Sequence, residues 1–294
     1  VFHYSDDEVT RLVRLGVERL GVHEVRFTGG EPLLRRGLET IVAATARLRT
    51  ETGAAPDISL TTNGLGLDRR AVSLATAGLS RVNVSLDSLD RAQYAALTRR
   101  DRLPDVLTGV HAAMDAGLQP VKLNTVIMRG VNEDQAVPLL EWAVDRGLEL
   151  RFIEQMPLGP RHTWDRAEMV TAEEILALLS TRFRLDPLPS AERAGSPAEV
   201  WSVRGTGLRV GVIGAVTRPF CAACDRTRLT CDGQVRSCLF SQRETDLRGA
   251  LRAGASDDEL VAAWRTAMLD KAAGHGIDEP GFDQPERTMS GIGG

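Results

Sequence analysis

Cysteine is absent from residues 1–220 and from residues 239–294 of this 294-residue chain; all four cysteines lie between 221 and 238. So narrow a cluster favours metal binding over a disulfide framework. Long apolar runs are also missing: none approaches the ~18 residues of a membrane span, and the opening residues do not read as a secretory leader. There is no excess of basic charge. A net charge of −4 and an isoelectric point near 5.8 argue against a general nucleic-acid binder. Internal repeats and low-complexity tracts are lacking too. The remaining composition, 43% hydrophobic and 26% charged, is that of an ordinary globular protein. The expectation is a cytoplasmic protein with neither nucleic acid nor membrane as partner. An initiator methionine is missing as well. The chain opens at Val1, and Ser5 with Glu8 makes a capping box almost at once. A natural beginning upstream of Val1 is therefore expected.

What is present is a regular alternation of helix and strand. Helix-like residues 5–20, 37–52, 68–78, 90–98, 104–116 and 133–146 are interleaved with short, β-branched strands at 24–28, 57–62, 81–86, 121–127 and 149–154. Gly53, Gly78, Gly117 and Gly147 stand where helices should stop. Repeated βα units predict a parallel sheet covered by helices. Thr28-Gly29-Gly30-Glu31, Thr61-Thr62-Asn63-Gly64, Ser85, Asp87, Asn124 and Glu154-Gln155-Met156 put polar residues at or just past the end of every strand. That is the rim of a barrel, whereas a doubly wound sheet would gather them at one switch point. After residue 158 the pattern changes. One more helix (171–180), a Pro/Ser/Ala-rich loop (187–197), two strands around Gly205-Thr206-Gly207, and helices near 243–253 and 256–271 follow. The division expected is a partial barrel of parallel βα repeats over 1–158. Residues 159–294 then supply the final barrel elements and an extension with a small antiparallel sheet. The glycine-rich tail 287–294 is expected to be flexible.

Within the cysteine stretch, Cys221-x-x-Cys224 places two thiolates on one turn. Asp232-Gly233 reads as a two-residue hairpin turn pairing 231 with 234 and 227 with 238. Cys238 then folds back beside Cys224, while Cys231 sits at the tip, roughly 23 Å along the strand from Cys238. That leaves a three-cysteine site, Cys221, Cys224 and Cys238, with one position not filled by cysteine.

Other constellations each have a plainer explanation. Gly29-Gly30 with Glu31 can expose backbone to a ligand, or simply make a strand-to-helix turn with Pro32. Arg26, Lys122 and Arg151 lie in apolar strands, where an unpaired cation is costly. One of them could make a structural ion pair with Glu24 or Glu149, whereas three on separate parallel strands suggest cations converging on a barrel interior that suits phosphate. Arg226 and Arg228 make a solvated face or an anion clamp, with Thr227 between them. Met156 alone would ordinarily be core. His3, His23, His111, His162 and His275 show no paired ligand spacing.

Taken together, Val25–Leu33, Leu60–Gly64, Val82–Asp87, Arg151–Met156, Phe220–Arg228 and the terminal Gly293-Gly294 resemble the GTP 3′,8-cyclase family of radical S-adenosylmethionine enzymes in molybdenum cofactor biosynthesis. The Thr-Gly-Gly-Glu-Pro motif belongs to the wider superfamily, and Cys-x2-Cys-x13-Cys with Arg-x-Arg to the cyclases. The resemblance implies an incomplete TIM-type barrel and a C-terminal [4Fe–4S] cluster on Cys221, Cys224 and Cys238 whose free iron takes the guanine of GTP. It implies GTP contacts from Arg26, Thr61, Lys122, Arg226, Thr227 and Arg228, and S-adenosylmethionine against Gly30, Ser85 and Met156. It also implies a tail, Gly293-Gly294, that reaches the active site, together with a homodimer and an electron donor. Hydrogen abstraction from C3′ of GTP and attack on C8 would give 3′,8-cyclo-7,8-dihydro-GTP. The family's N-terminal Cys-x3-Cys-x2-Cys, which holds a second [4Fe–4S] cluster, is absent from these 294 residues, so the chain as given is expected not to cleave S-adenosylmethionine. Cys231 has no place in the motif. Two rivals stand beside this reading: a structural zinc module using four cysteines, or three and a histidine such as His275, and a peptide-modifying radical enzyme with an auxiliary cluster.

Overall fold

Successive residues of a strand face opposite sides of the sheet, and here the two sides differ sharply in chemistry. The computed structural model describes residues 4–160, 164–189 and 196–292. Strands β1 (Glu24–Phe27), β2 (Asp57–Thr62), β3 (Arg81–Ser85), β4 (Val121–Ile127) and β5 (Glu149–Glu154) pair in sequence order, all parallel. The sheet then continues through three strands that come later in the chain. They are β6 (Leu185–Pro187), β7 (Glu199–Val203) and β8 (Leu208–Ile213), in the order β5-β8-β7-β6. β8 is parallel to β5, β7 is antiparallel to β8, and β6 is antiparallel to β7. With β1 and β6 at opposite ends of the order, the result is an incomplete barrel.

On the outer face, Ile58, Leu60, Val82, Val84, Leu123, Leu150, Phe152 and Val212 are at most 1% exposed. They share a core with residues of α2 (Leu38–Ala46), α3 (Leu67–Ala77), α4 (Arg91–Thr98), α5 (Leu103–Asp115), α6 (Ala136–Asp145) and α7 (Ala172–Ser180), while α8 (Leu247–Arg252) lies further along the chain. Each such side chain contributes roughly 1.5–3 kcal/mol of burial. A second core joins the two ends of the chain. Tyr4, with Leu12 and Leu15 of α1 (Asp6–Arg19), packs against Val235, Leu247, Leu260 and Trp264. The last two belong to α9 (Asp257–Leu269). Arg11 and Arg14 both pair with Asp257, at 2.8 and 2.6 Å. This packing brings the C-terminal region back to the β1 side of the barrel. Among the described residues no helix is long and apolar enough to cross a membrane.

The capping box at Ser5 forms as the sequence predicts, with both Glu8 N–H to Ser5 and Ser5 N–H to Glu8 present. Four expectations need correction. The helix expected over 37–52 stops at Ala46. Beyond it, Thr50 bonds both the Thr52 hydroxyl and the Ala54 carbonyl, local bonds that compete with a helix. Gly53 therefore serves that turn, not a helix end. The short strand β6 contains Pro187, which an edge strand tolerates and which hides the strand in the sequence. The tail is not free throughout: Met289–Ile292 forms α10, and Ile292 is fully buried.

The fourth correction is the hairpin register. Of β9 (Arg228–Leu229), β10 (Gln234–Arg236) and β11 (Thr245–Asp246), the first two pair with Leu229 opposite Val235 and Arg228 opposite Arg236. The loop thus holds three residues, Cys231 to Gly233, closed by Thr230 N–H to Gln234 O at 2.9 Å. Gly233, at φ +103°, takes the left-handed position that ends such a loop. Arg248 packs so closely that a Cβ there would lie 2.3 Å from its Cβ. The Thr230 hydroxyl, which donates to Asp232 and accepts from Gln234 N–H, fixes this register by one residue against the two-residue turn.

Candidate functional site

The inner face of the barrel is polar in register. Arg26 stands beside Ser59 and Arg81; Thr61 beside Asn83, Lys122 and Glu149; Ser85 beside Asn124, Arg151 and Gly211. Arg26 Nε donates to Ser59 Oγ at 3.3 Å, and Asn83 Nδ2 donates to Thr61 Oγ1 at 3.2 Å. Lys122 pairs with Glu149 at 2.6 Å, and Arg81 pairs with Glu24 at 3.3 Å and with Asp57. Gly211 leaves room for Arg151, whose Cγ would lie 3.2 Å from a Cβ placed there. Lys122 thus makes the ion pair with Glu149 that the sequence allowed, and it shares one interior with Arg26 and Arg151.

Positive charge dominates that interior. Burial, then the charges of Arg26 and Arg81, pushes Arg151 down to about 10. Burial and Arg151 lower Lys122 despite Glu149. Arg26 is open to water through the barrel mouth, yet protein surrounds it, and this desolvation lowers its pKa together with Arg81 and Arg226. Arg226 comes from the cysteine segment, two hundred residues along the chain. Arg228 is likewise lowered to about 10 by burial and then Arg226, with Arg26 adding to the effect. Folding has thus brought the cysteine segment against the barrel mouth.

That segment begins with a tight 3-10 turn over Cys221–Ala223, closed by Cys224 N–H to Cys221 O at 3.1 Å. The Cys221 thiol is raised by burial and then by Cys238 and Cys224, while Arg228 feels Cys224 and Cys238. The three thiols thus lie within electrostatic reach of one another, and Cys231 is exposed on the hairpin loop. Among the described residues no group of three or more His, Cys, Asp or Glu is spaced to hold a single metal ion. Lys271, which the sequence gave no reason to single out, donates to Cys224 O at 2.6 Å, Arg226 O at 3.0 Å and Cys224 Sγ at 3.3 Å. Burial raises the Cys224 thiol, but the Arg226 backbone N–H, the Arg226 charge and Lys271 outweigh it, and its pKa falls. The Thr227 hydroxyl accepts from Trp264 Nε1 at 2.8 Å, which ties the segment to α9.

Several polar atoms here are buried without a partner. Arg226 Nε and Nη2, Arg228 Nε, and the side-chain carbonyls of Asn83 and Asn124 have no hydrogen-bond partner among the described residues. Arg226 instead lies over the Phe220 ring, 4.7 Å from its centroid. A buried orphan costs about 1–3 kcal/mol, more when charged. Unpaired guanidinium donors on the cysteine segment and unpaired amide acceptors on the inner strands fit a ligand with both anionic and hydroxyl or amino groups.

At the rim, Gly29 has φ +126°, and a Cβ on Gly29 or Gly30 would meet nothing within 4 Å, so the backbone is open to a ligand. Glu31 is largely committed within the fold, accepting from Leu33 N–H, the Thr62 hydroxyl and Asn63 N–H at 3.0, 2.6 and 2.8 Å. Ser85 is exposed, and Met156, like Ile153 and Phe220, packs against the small cluster of Ala198, Ile213 and Ala215. Asp87 is pushed up to about 6 by burial, against one N–H from Val126. Glu154, which the sequence placed on the rim, instead turns to the helix side and is completely buried. It accepts from Ala172 N–H (2.7 Å), Val216 N–H (2.8 Å), Thr217 N–H (2.9 Å) and the Thr217 hydroxyl. Arg81 was missed although its place in the Arg81-Asn83-Ser85 alternation puts it on the inner face. Gly293 and Gly294, like His3 and His162, lie outside the described residues.

Residues 1–143 match the family model described as the radical SAM superfamily, and 148–277 match the one described as Molybdenum Cofactor Synthesis C. A GTP 3′,8-cyclase of Corynebacterium glutamicum is 57% identical over 296 residues, covering 99% of this chain and 78% of that protein. The GTP 3′,8-cyclase of Streptomyces coelicolor is 58% identical over 290 residues, covering 99% and 84%. Among solved structures, SuiB of Streptococcus suis, bound to S-adenosylmethionine, shares the fold at 13% identity. Its TM-score is 0.60, with 89% of this chain and 58% of that chain covered. The chain belongs to the GTP 3′,8-cyclase family of the radical SAM superfamily.

Proposed function

We propose that this chain is the GTP-binding body of a GTP 3′,8-cyclase, the enzyme that converts GTP to 3′,8-cyclo-7,8-dihydro-GTP in molybdenum cofactor biosynthesis. The observation that carries the reading is the set of unpaired donors on Arg226 and Arg228, close enough to Arg26 of β1 for the like charges to repel. Arg226, Arg228 and Arg26 would take the triphosphate, with Lys122 and Arg151 deeper in the same field. The open carbonyls of Asn83 and Asn124 suit ribose hydroxyls or the guanine amino group. Thr61 and the Thr227 backbone complete the nucleotide contacts.

Cys221, Cys224 and Cys238 would hold a [4Fe–4S] cluster, a fit supported by the Cys221 thiol feeling both other thiols and by Arg228 feeling Cys224 and Cys238. S-adenosylmethionine would lie against the open Gly29-Gly30 backbone, Ser85 and Met156. Such a cluster supplies an iron able to take a base atom as ligand, and S-adenosylmethionine supplies the hydrogen-abstracting chemistry. The residues of this chain bind and orient the nucleotide, and Lys271 holds the Cys224 turn closed. The proposal extends to a homodimer, an external electron donor, a cytoplasmic location, and a tail whose Gly293-Gly294 reaches the nucleotide. A peptide substrate would leave the arginine donors without their complement.

Calorimetric titration of the anaerobically reconstituted protein tests this. GTP should bind, and these 294 residues, whose cysteines all lie at 221–238, should release no 5′-deoxyadenosine from S-adenosylmethionine under reductant. Absence of GTP binding would overturn the assignment, and 5′-deoxyadenosine from this chain would overturn the view that it lacks ligands for the cleaving cluster.

A further inference from the structure

We propose that Arg287 is a positioning residue that sets Cys238 in place through a relay of charges from the C-terminal segment to the cysteine hairpin. The inference rests on the reading that Cys238 is a cluster ligand. Arg287 grips two carboxylates at once. It donates to Asp232 Oδ1 and Oδ2 at 3.1 and 2.9 Å, and to Glu244 Oε2 at 2.7 Å, with Nε 2.7 Å from Glu244 Oε1. Asp232 stands on the hairpin loop. Glu244 in turn pairs with Arg236, whose side chain is only 2% exposed. Arg236 is the last residue of β10, and it donates to the carbonyls of Leu239 and Ser241. The chain from 236 to 241 therefore curls around one buried guanidinium, with Cys238 on the curl, and Ser241 N–H closes it onto Cys238 O at 3.3 Å.

The segment bearing Arg287 is anchored independently. Gly159 N–H donates to Pro285 O at 3.0 Å, and Gln284 Nε2 donates to Gly159 O and Pro160 O at 3.3 and 3.1 Å. Ile292 is fully buried. Arg287 is thus held from behind while it braces two points of the hairpin. A buried cation such as Arg236 needs its counter-charge held in fixed geometry, and Glu244 is that counter-charge. Without Arg287, Glu244 is oriented from one side only and Asp232 loses its clamp, so the curl carrying Cys238 can open locally while the barrel stays folded. Lysine cannot replace the device, because a point charge does not bridge two carboxylates in bidentate fashion.

Two readouts test the relay. In the cluster-free protein, site-resolved alkylation should show Cys238 reacting about tenfold faster in Arg287→Ala, the change that 1.4 kcal/mol of lost local stability produces. Cys221 should react at the wild-type rate. Glu244→Gln should move Cys238 in the same direction, Arg287→Lys should not restore it, and Arg287→Gln serves if the alanine variant does not fold. In the reconstituted protein, the same variants should lose labile sulfide and visible absorbance faster in air than wild type. Unchanged Cys238 labelling and sulfide retention in these variants, where Cys238→Ser does lose sulfide, would overturn the relay. Equal sulfide in wild type and Cys238→Ser would instead overturn the ligand assignment on which it rests.

Discussion

Replacing Arg226 and Arg228 together with alanine should weaken GTP binding at least 100-fold and should not destabilise the ligand-free protein. Each charged hydrogen bond to phosphate is worth about 1.5–3 kcal/mol, and 1.4 kcal/mol is tenfold in affinity. The opposite sign for stability follows from burial. Arg228 is held near 10, well below its ordinary value, because its charge is desolvated beside Arg226. A folded-state pKa lowered in this way costs stability at every pH below about 10, and the cost fades only as the pH rises beyond it. Removing the cation removes that cost, of order 1–3 kcal/mol. Calorimetry for GTP and urea denaturation of the ligand-free protein measure the two effects. Affinity and stability falling together would mean that the arginines are structural ties, and unchanged affinity would remove them from the nucleotide site.

The second large effect concerns stability alone. Glu154→Ala should cost about 3–5 kcal/mol, because it strands three backbone N–H groups and one hydroxyl inside the protein. Two of those N–H groups follow β8 and one opens α7, so the carboxylate joins the end of β5 to the strand beside it and to the next helix. Glu154→Gln keeps the shape but points an NH2 group at a donor, and should cost less, about 2–3 kcal/mol. Shifts in urea midpoint at constant slope would check both. A loss under 1 kcal/mol for alanine would show that water or a rearranged loop satisfies these groups.

Glu154 also shows where sequence reading reaches its limit. The strand Glu149–Glu154 was legible with both bounds, as were Asp57–Thr62 and Val121–Ile127, because each is a short apolar run set between helical patterns. Which face the last residue takes was not legible, because a polar residue at a strand end reads the same whether it meets a ligand or three amides. The inward cations followed from their place inside apolar parallel strands, and alternation along β3 puts Arg81 with them. The convergence of Arg226 and Arg228 on Arg26 was not written locally, since it depends on Leu12 and Leu15 packing against Leu260 and Trp264. The hairpin was foreseen but its register was not, because Asp232-Gly233 serves a two-residue and a three-residue loop alike, and the Thr230 hydroxyl decides between them. Lys271 left no signal, being one lysine just past a helix end. The tail looked flexible because glycine dominates its composition, whereas Arg287 and Ile292 anchor it through partners far away in sequence.

The central claim is that three of the four cysteines, and not the fourth, form an iron–sulfur site beside the arginine cluster. Iron and acid-labile sulfide per chain, measured after anaerobic reconstitution of wild type, Cys231→Ser and Cys238→Ser, tests it most directly. Wild type and Cys231→Ser should carry about four of each, as one [4Fe–4S] cluster requires, and Cys238→Ser should lose most of both. One zinc per chain without labile sulfide, or loss of metal in Cys231→Ser, would contradict it.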